Sequence, residues 1–228
     1  MDFAPLHNWK VTPAEAVELQ KQLADQVILQ DCLTGQPALV AGADVSYRWH
    51  GEQFYAAVVV LSLPDLQPVA EATARGRVTF PYVPGLLSFR ELPVLLKAFE
   101  ELSVSPDLVL VDGQGIAHPR RLGLASHLGL WLGLPTIGCA KSRLCGEHAS
   151  VGQRRGQQVP LYDKQEQVGV VLTTRDRVKP LYISPGHKIG LRRAVEQVLM
   201  CGGGYRLPEP TRQAHLLSNR LRQEVEEG

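Results

Sequence analysis

The 228-residue chain contains no hydrophobic run close to the roughly 20 residues that a membrane-spanning helix requires. Residues 1–9 include no apolar segment of the kind that directs export, and the four cysteines form no C-x-x-C pair. No internal repeat, low-complexity tract or long linker divides the chain. These absences argue against a membrane protein and against a disulfide-rich secreted domain. We therefore expect a cytoplasmic protein with free thiols, folded as one domain over residues 1–228 and monomeric, without an obligate protein partner.

The formal net charge is only +1, but the charged residues are segregated along the chain. Residues 1–111 carry 7 Lys and Arg against 13 Asp and Glu, whereas residues 112–228 carry 17 against 10. The second half therefore favours an anionic partner, although ordinary solvated faces explain the same numbers. A nucleic-acid-binding surface requires only a local basic patch, so the modest total does not exclude nucleic acid.

The first part of the chain predicts a helix followed by an antiparallel meander. Thr12 and Glu15 form a T-x-x-E capping box with Pro13 at the first helical position, so a helix should run from about Pro13 to Gln30. Three β-rich runs follow, joined by short turn-like connections, and a further helix comes after a proline-rich segment. The strands are expected at Ala38–Tyr47, Phe54–Leu63 and Val69–Phe80, the connections at Trp49–Gln53 and Pro64–Asp65, and the helix at about Ser88–Leu102.

The second part of the chain alternates strands and helices, which is typical of parallel β-α-β units. The polar stretch Gln153–Lys164 is expected to be a loop or an edge excursion. An antiparallel meander leading into parallel strands, with helices on both faces of one mixed sheet, predicts an α/β domain of the ribonuclease H-like type. The predicted strands are Leu108–Val111, Thr136–Ala140, Val168–Thr174 and Leu181–Ser184, and the predicted helices are about Leu122–Leu132, Leu191–Cys201 and Thr211–Glu226.

Three acidic residues stand out by their positions in the predicted elements. Asp44 is inside the apolar run Val40–Val45, and Asp112 directly follows a predicted strand, at the strand end where α/β sheets bind ligands. Glu91 lies in the first turn of a predicted helix, where it also completes an S-x-x-E capping box with Ser88. Structural interpretations remain open for all three: a hydrogen-bonded core acid at Asp44, a turn cap at Asp112 and a helix cap at Glu91.

Carboxylates buried side by side are costly unless a cation compensates them. Mg²⁺ is the expected cation, because it prefers a few carboxylates together with water and phosphate oxygens. Two such ions, roughly 4 Å apart, would activate a water and stabilise the leaving oxygen of a phosphodiester.

The segment that follows Asp112 has the glycines of a ligand-binding loop. It lacks the third glycine of a dinucleotide-binding loop, and an aspartate opens it where phosphate repulsion is worst. Gly113 and Gly115 instead favour a backbone that approaches a ligand closely. His118, Arg120 and Arg121 then supply donors near a phosphate.

The proline-rich segment predicts a stiff, exposed loop tip. Pro81 and Pro84 bracket Tyr82 and Val83, which places an aromatic and an aliphatic side chain at that tip. A protein that works on a single base must hold the duplex open while the base is out of the stack, and a rigid aromatic wedge suits that purpose. Taken alone, the segment is explained as well by a simple turn with a core tyrosine.

Together these motifs resemble the endonuclease V family, whose members cut DNA near deoxyinosine. The matching stretches occur in order across residues 42–212, so the set is specific although no single motif is. They are Gly42–Val45, Pro81–Gly85, Leu87–Glu91, Val111–Gly113, His118–Gly123, Pro135–Gly138, Ala140–Ser142, Ser184–His187 and Tyr205–Arg212.

The resemblance implies a ribonuclease H-like fold and Mg²⁺, or Mn²⁺ in its place, at Asp44, Glu91 and Asp112. It also implies that Tyr82 is the wedge residue. The implied reaction hydrolyses the second phosphodiester bond 3′ to deoxyinosine and leaves 3′-hydroxyl and 5′-phosphate ends. Catalysis is assigned to the three acids with Lys141 and His118.

Further roles follow from the same resemblance. Lys141 is placed near the scissile phosphate or a metal-bound water, and His215 is a fourth metal-site group, although imidazole is a soft ligand for Mg²⁺. His187 serves the site or holds its loop. The backbone of Gly85, Leu87 and Gly113 is expected to line the base pocket, and the expected phosphate contacts are Arg120, Arg121 and Arg212.

Three other functions compete with a deoxyinosine endonuclease, and one alternative concerns a separate metal site. A nuclease of the same fold acting mainly on inosine-containing RNA or on branched DNA is the nearest, because a contact to a 2′-hydroxyl leaves no signature in the sequence. A non-catalytic nucleic-acid-binding module would need no acid triplet, and a DNA glycosylase would need no multi-carboxylate site. A zinc site at Cys139, Cys145 and His148 matches no standard spacing and lacks an obvious fourth ligand.

Overall fold

The structure, a computed structural model, describes residues 1, 3–48 and 51–227. These residues form an eight-stranded sheet and five α-helices. The strands are β1 (Leu39–Tyr47), β2 (Gln53–Ser62), β3 (Gln67–Arg77), β4 (Leu108–Val111), β5 (Thr136–Ala140), β6 (Gln158–Asp163), β7 (Glu166–Leu172) and β8 (Leu181–His187). The helices are α1 (Pro13–Ala24), α2 (Ser88–Glu100), α3 (Leu124–Leu132), α4 (Leu191–Met200) and α5 (Glu209–Glu227).

The sheet has the order β3-β2-β1-β4-β5-β8-β7-β6. Strands β1, β2 and β3 pair antiparallel, whereas β4 runs parallel to both β1 and β5. The predicted meander followed by parallel strands is therefore confirmed. The parallel strands β1, β4 and β5 lie in the middle of the sheet and end at the same edge, where α/β proteins place their ligand sites.

Side chains of the central strands alternate between two helical layers, as the two-residue period of a strand requires. Ala41, Ala43 and Val109 pack in the core cluster that includes residues of α2 and α3. Val40 and Leu108 pack in the cluster that includes residues of α4. Both faces of the sheet are therefore covered, as the near-continuous apolar runs of β1 and β4 indicate.

Helix α5 docks on the sheet because β1 has no side chain at one position. A Cβ atom on Gly42 would lie 1.9 Å from the carbonyl oxygen of Pro210, so the first turn of α5 rests directly on the β1 backbone. Ala214 of the same helix packs with Val59 and Leu61 of β2. This close approach fixes α5 beside the carboxyl end of β1.

The structure corrects three expectations for the elements. Helix α1 begins with the predicted capping box but ends at Ala24, not near Gln30, because the following segment bonds to the loop after β8. Lys188 donates its backbone N–H to the carbonyl of Ile28 at 2.6 Å and accepts one from Cys32 at 3.1 Å. Residues in that segment therefore use their backbone groups outside a helix.

The remaining corrections concern the last strands. The polar stretch 153–164 contains an edge strand, β6, and β8 runs antiparallel to β5. No helix intervenes between β5 and β8 in the described chain, so β6, β7 and β8 form a second antiparallel meander, where parallel strands were expected. Trp49, in the first predicted connection, lies outside the described residues. None of the helices described here is long and apolar enough to cross a membrane.

Candidate active site

Strand register brings two of the predicted acids together. The parallel pairing of β1 and β4 sets Ala43 opposite Val111, so Asp44 and Asp112, one residue further on, lie side by side at the sheet edge. The backbone N–H of Asp112 donates to the carbonyl of Ala43 at 3.2 Å. Both carboxylates are largely buried, with side-chain exposures of 9% for Asp44 and 11% for Asp112.

Helix α5 completes the surroundings of Asp44. His215 Nδ1 lies 3.1 Å from Asp44 Oδ2, and Ser218 Oγ donates to the same oxygen at 2.7 Å. These two residues are three apart, so they share one face of the helix. One ligand atom each from Asp44, Asp112 and His215 lies within 4.8 Å of the others, which is close enough to hold a metal ion.

Glu91 lies near this cluster but outside its tightest group. Burial and the neighbouring carboxylates of Asp44 and Asp112 raise the pKa of Glu91 well above its usual range. The predicted capping box is wrong: among the described residues no side chain caps α2, and Ser88 Oγ lies 3.0 Å from His127 Nδ1. The carboxylate of Glu91 therefore does not cap the helix, and the negative charges of Asp44 and Asp112 act on it.

The negative charges of the clustered carboxylates are not fully compensated by nearby positive charge. Burial and Asp44 raise the pKa of Asp112, although the Lys141 ammonium opposes that shift. Lys141 follows β5 at the same edge and forms an ion pair with Asp112. The two carboxylates and the imidazole fit a divalent cation bound by Asp44, Asp112 and His215. Glu91, a third acid whose pKa is raised, lies near enough for its charge to interact with that cation.

A cavity of about 390 Å³ lies between the proline-rich loop and Asp112. Its wall includes three of the four predicted wedge residues: Tyr82, which is 59% exposed, Val83 and Pro84. All three predicted base-pocket residues also line it: Gly85, Leu87 and Gly113. Residues predicted for the wedge, residues predicted for the base pocket and one acid of the cluster therefore line a single cavity. Pro81 lines a separate cavity with Tyr47 and Arg90.

His118 lines the same cavity, and both of its ring nitrogens are occupied. Nε2 lies 2.9 Å from the carbonyl oxygen of Gly85, so it carries the proton, and Nδ1 accepts the backbone N–H of Arg120 at 3.1 Å. Burial and the guanidinium of Arg120 lower the pKa of His118 to about 4. This geometry describes a neutral imidazole that holds the Gly85 peptide, and it gives no support to the predicted roles of His118 as a phosphate donor and catalytic residue.

The predicted phosphate contacts are engaged elsewhere. Arg121 pairs with Asp163 at 2.8 Å and Glu166 at 2.7 Å, and both Arg120 and Arg121 line a different cavity from the one beside Asp112. Arg212 pairs with Glu209 at 2.6 Å and stacks on the ring of Tyr205 at 4.2 Å. Each guanidinium has a structural partner, so the geometry gives these phosphate contacts no support.

His187 has a contact that explains its burial. It accepts, at Nδ1, the backbone N–H of Ile28 at 3.3 Å, and burial lowers its pKa to about 4. The loop-holding role is thus the one that its contacts favour. The zinc alternative is wrong for the described residues: the metal-binding group found among them contains neither Cys139, Cys145 nor His148, and His148 Nε2 contacts Tyr182 Oη at 3.3 Å.

Sequence reasoning missed several residues of the site. Ser218 on Asp44 and Gln20, which reaches the loop from α1, are distant in sequence from every motif. Arg143 and Leu144 line the cavity directly after Lys141. Only the last two had a signal, because they continue a motif that ends beside a predicted catalytic lysine.

The protein has acids at the ends of adjacent central strands, on a mixed sheet with helices on both faces. This arrangement is typical of a nuclease with a ribonuclease H-like fold. A sequence model described as Endonuclease V matches residues 21–216. This protein belongs to the endonuclease V family.

Individual relatives agree with that assignment. An Endonuclease V from Dehalococcoides mccartyi (strain CBDB1) is 54% identical over 216 residues, which is 95% of this chain and 96% of the relative. The crystal structure of Endonuclease V from Streptomyces avermitilis is 44% identical, covers 96% of each chain and has a TM-score of 0.90. Ciona intestinalis Endonuclease V, solved with a 24mer DNA containing an inosine followed by a ribo-adenosine, is 28% identical with a TM-score of 0.81, over 93% of this chain and 98% of that one.

Proposed function

We propose that this protein is a Mg²⁺-dependent repair endonuclease that recognises deoxyinosine in DNA and hydrolyses the second phosphodiester bond 3′ to it. The products would carry 3′-hydroxyl and 5′-phosphate ends, with the damaged base left in place. The observation that carries this proposal is the cluster of Asp44, Asp112 and His215 within 4.8 Å, beside a cavity bounded by an exposed tyrosine. We also expect a cytoplasmic, monomeric protein with one domain over residues 1–228, as its composition predicts.

The acid cluster would supply the metal chemistry. Asp44, Asp112 and His215 would hold a divalent ion, with Glu91 within reach of its charge, and Mn²⁺ would substitute for Mg²⁺. A bound ion of this kind activates water and stabilises the leaving oxygen of a phosphodiester. Ser218 holds one oxygen of Asp44, so that carboxylate keeps its orientation as a ligand.

Lys141 has a separate task. The Lys141 ammonium pairs with Asp112, and the lysine side chain is 38% exposed. It can therefore turn toward a phosphate once a metal ion neutralises the Asp112 carboxylate. It would then compensate the charge that develops on the scissile phosphate.

The cavity would hold the extruded base. Helix α2 begins at Ser88, and the first N–H groups of a helix have no partner within it, so the backbone of Leu87 and Ser88 offers donors at the cavity wall. Such donors suit the O6 carbonyl of hypoxanthine and reject the amino group that adenine has there. Tyr82 would occupy the gap that the extruded base leaves in the duplex.

A second candidate substrate is inosine-containing RNA. The DNA bound to the Ciona relative has a ribonucleotide directly after its inosine, so the site of that relative accepts a 2′-hydroxyl at that position. The same tolerance is expected here if the two sites bind nucleic acid alike. The preference between the two backbones is decided by comparing substrates that differ only in the sugar.

The test uses end-labelled duplexes that contain one deoxyinosine, one inosine ribonucleotide or a matched adenine, with Mg²⁺ or with EDTA. We expect cleavage of the inosine strand only with Mg²⁺, at the second bond on the 3′ side, read from product length. Asp44→Ala and Asp112→Ala should abolish cleavage while the proteins stay folded, and Asp163→Asn, a matched acid outside the site, should cut normally. Base removal without strand scission, or metal-independent cutting, would contradict the proposal.

A further inference from the structure

The carbonyl oxygen of Gly85, in the proline-rich loop, is held by three side-chain donors. Gln20 Nε2 donates to it at 3.0 Å, His118 Nε2 at 2.9 Å and Arg120 Nη2 at 2.8 Å. Two of these side chains, Gln20 and His118, are almost wholly buried. Convergence of three donors on one carbonyl fixes that peptide group far more firmly than a loop carbonyl in water would be held.

Gln20 organises this set of donors. Its side-chain oxygen accepts Arg120 Nε at 2.5 Å, and its nitrogen also lies 3.2 Å from the carbonyl of Leu122. Gln20 therefore donates to Gly85 directly and aims the guanidinium of Arg120 at the same carbonyl. It is 1% exposed, and it lies one residue before the stretch that the family sequence model covers.

The held peptide belongs to the turn that carries the wedge. Leu86 donates its backbone N–H to the carbonyl of Val83 at 2.9 Å, with Pro84 and Gly85 between them and Gly85 at φ +80°. Proline followed by a residue with positive φ is the pattern of a type II turn. Fixing the Gly85 carbonyl therefore fixes the turn that sets Tyr82 at the mouth of the cavity.

We propose that Gln20, on helix α1, is a positioning residue for lesion recognition that holds the 83–86 turn, and with it the adjacent Tyr82, ready to enter the duplex. This inference rests on the proposed function, because the wedge has a purpose only if a base is extruded. A turn already fixed before binding loses little conformational freedom on insertion, so the benefit appears in binding to duplex DNA. An inosine that is already single-stranded needs no wedge and gains nothing from it.

The test compares Gln20→Leu and Gln20→Glu with Gln22→Leu, an exposed glutamine on the same helix. The leucine removes every polar contact, and the glutamate keeps an acceptor for Arg120 but has no proton for Gly85 or Leu122. The Kd is measured for duplex inosine DNA and for single-stranded inosine DNA of the same sequence, with Ca²⁺ in place of Mg²⁺ to prevent cleavage. Thermal unfolding of each variant is followed alongside.

We expect both Gln20 variants to bind duplex inosine DNA about tenfold more weakly than wild type, with single-stranded binding unchanged. The informative quantity is the ratio of the Kd for duplex DNA to the Kd for single-stranded DNA, because a general loss of protein stability weakens binding to both substrates equally. Gln22→Leu should leave the ratio at the wild-type value. An unchanged ratio in a folded Gln20 variant overturns the proposal.

Amide hydrogen exchange of the wild-type protein without DNA gives a second, variant-independent measurement. The N–H of Leu86 should exchange at least about a hundredfold more slowly than an unstructured amide, since its turn is held in the free protein. Exchange at the unstructured rate refutes a held turn even if the variants fail to fold. If wild type does not distinguish inosine from adenine, the proposed function is wrong, and the exchange rate still decides whether the turn is held.

Discussion

Replacing Asp112 with asparagine should make the metal-free protein more stable while abolishing its activity. The change removes one of two negative charges that lie within 4.8 Å of each other and leaves the size of the side chain almost unchanged. Burial and Asp44 raise the pKa of Asp112, which means that its ionised form is disfavoured in the folded state at neutral pH. A neutral amide at this position avoids that penalty.

The magnitude follows from the separation of the charges. The ligand oxygens of Asp44 and Asp112 lie no more than 4.8 Å apart, and two unit charges at that limit repel by about 3.5 kcal/mol at an effective dielectric constant of about 20. Loss of the ion pair with Lys141, whose side chain is 38% exposed, offsets less than about 1 kcal/mol of this. After local relaxation we expect a net gain in the free energy of unfolding of about 1–2 kcal/mol.

The measurement is urea denaturation followed by tryptophan fluorescence at pH 8, with EDTA or with Mg²⁺. Wild type should gain about 2.7 kcal/mol when Mg²⁺ is a hundredfold above its Kd, and Asp112→Asn should gain far less. Asp163→Asn is the matched control, because Asp163 is similarly buried and pairs with Arg121 at 2.8 Å. It should lose about 1 kcal/mol in EDTA and keep the full response to Mg²⁺.

The order of stabilities decides the matter. Asp112→Asn should be the most stable of the three proteins in EDTA and should fall below wild type in Mg²⁺. If it is less stable than wild type in EDTA, or if it retains the full Mg²⁺ response, then Asp44 and Asp112 do not form a cation-dependent pair.

Three further outcomes are expected. Tyr82→Ala should reduce the preference for inosine over adenine duplexes about tenfold and leave the Mg²⁺ concentration for half-maximal cleavage unchanged; normal discrimination would remove the wedge role. Gly42→Ala should cost at least about 3 kcal/mol in urea denaturation, because its Cβ would lie 1.9 Å from the backbone oxygen of Pro210, and a near-neutral change would contradict that packing. His118 has a pKa lowered to about 4 from 6.5, so the unfolded state binds its proton first and stability falls by about 3 kcal/mol as pH drops from 6.5 to 4. His118→Asn should show a shallower fall over that range, and equal slopes would exclude His118 as the cause.

Local signals predicted the central part of the fold well. The capping box at Thr12 and the apolar runs of β1 and β4 carry their structure in neighbouring residues, and each element formed where the pattern indicated. The end of α1 was wrong by six residues because the bonds to Lys188 that replace helical ones are formed by residues about 160 positions away. Edge strand β6 was not predicted as a strand for a similar reason. Its pairing with β7 stabilises it, whereas its polar sequence carries no strand pattern.

The acidic residues of the candidate site were predicted better than its basic residues. Buried carboxylates such as Asp44 stand out against an apolar strand, because a charge there has no local explanation. Arginines give no such contrast: Arg121 and Arg212 sit in motifs yet pair with acids that only the folded chain brings near. Gln20 and Ser218 have the same difficulty, as their partners lie 65 and 174 residues away in sequence.

The docking of α5 has a consequence for the newly made chain. Asp44 is synthesised early, but the imidazole and hydroxyl that contact it belong to residues 215 and 218, and their helix rests on β1 at Gly42. A ribosome-bound chain that has not yet released this helix has its first strands but lacks two of the side chains that surround Asp44. Cleavage activity should therefore arise only after α5 has left the ribosome and docked on β1.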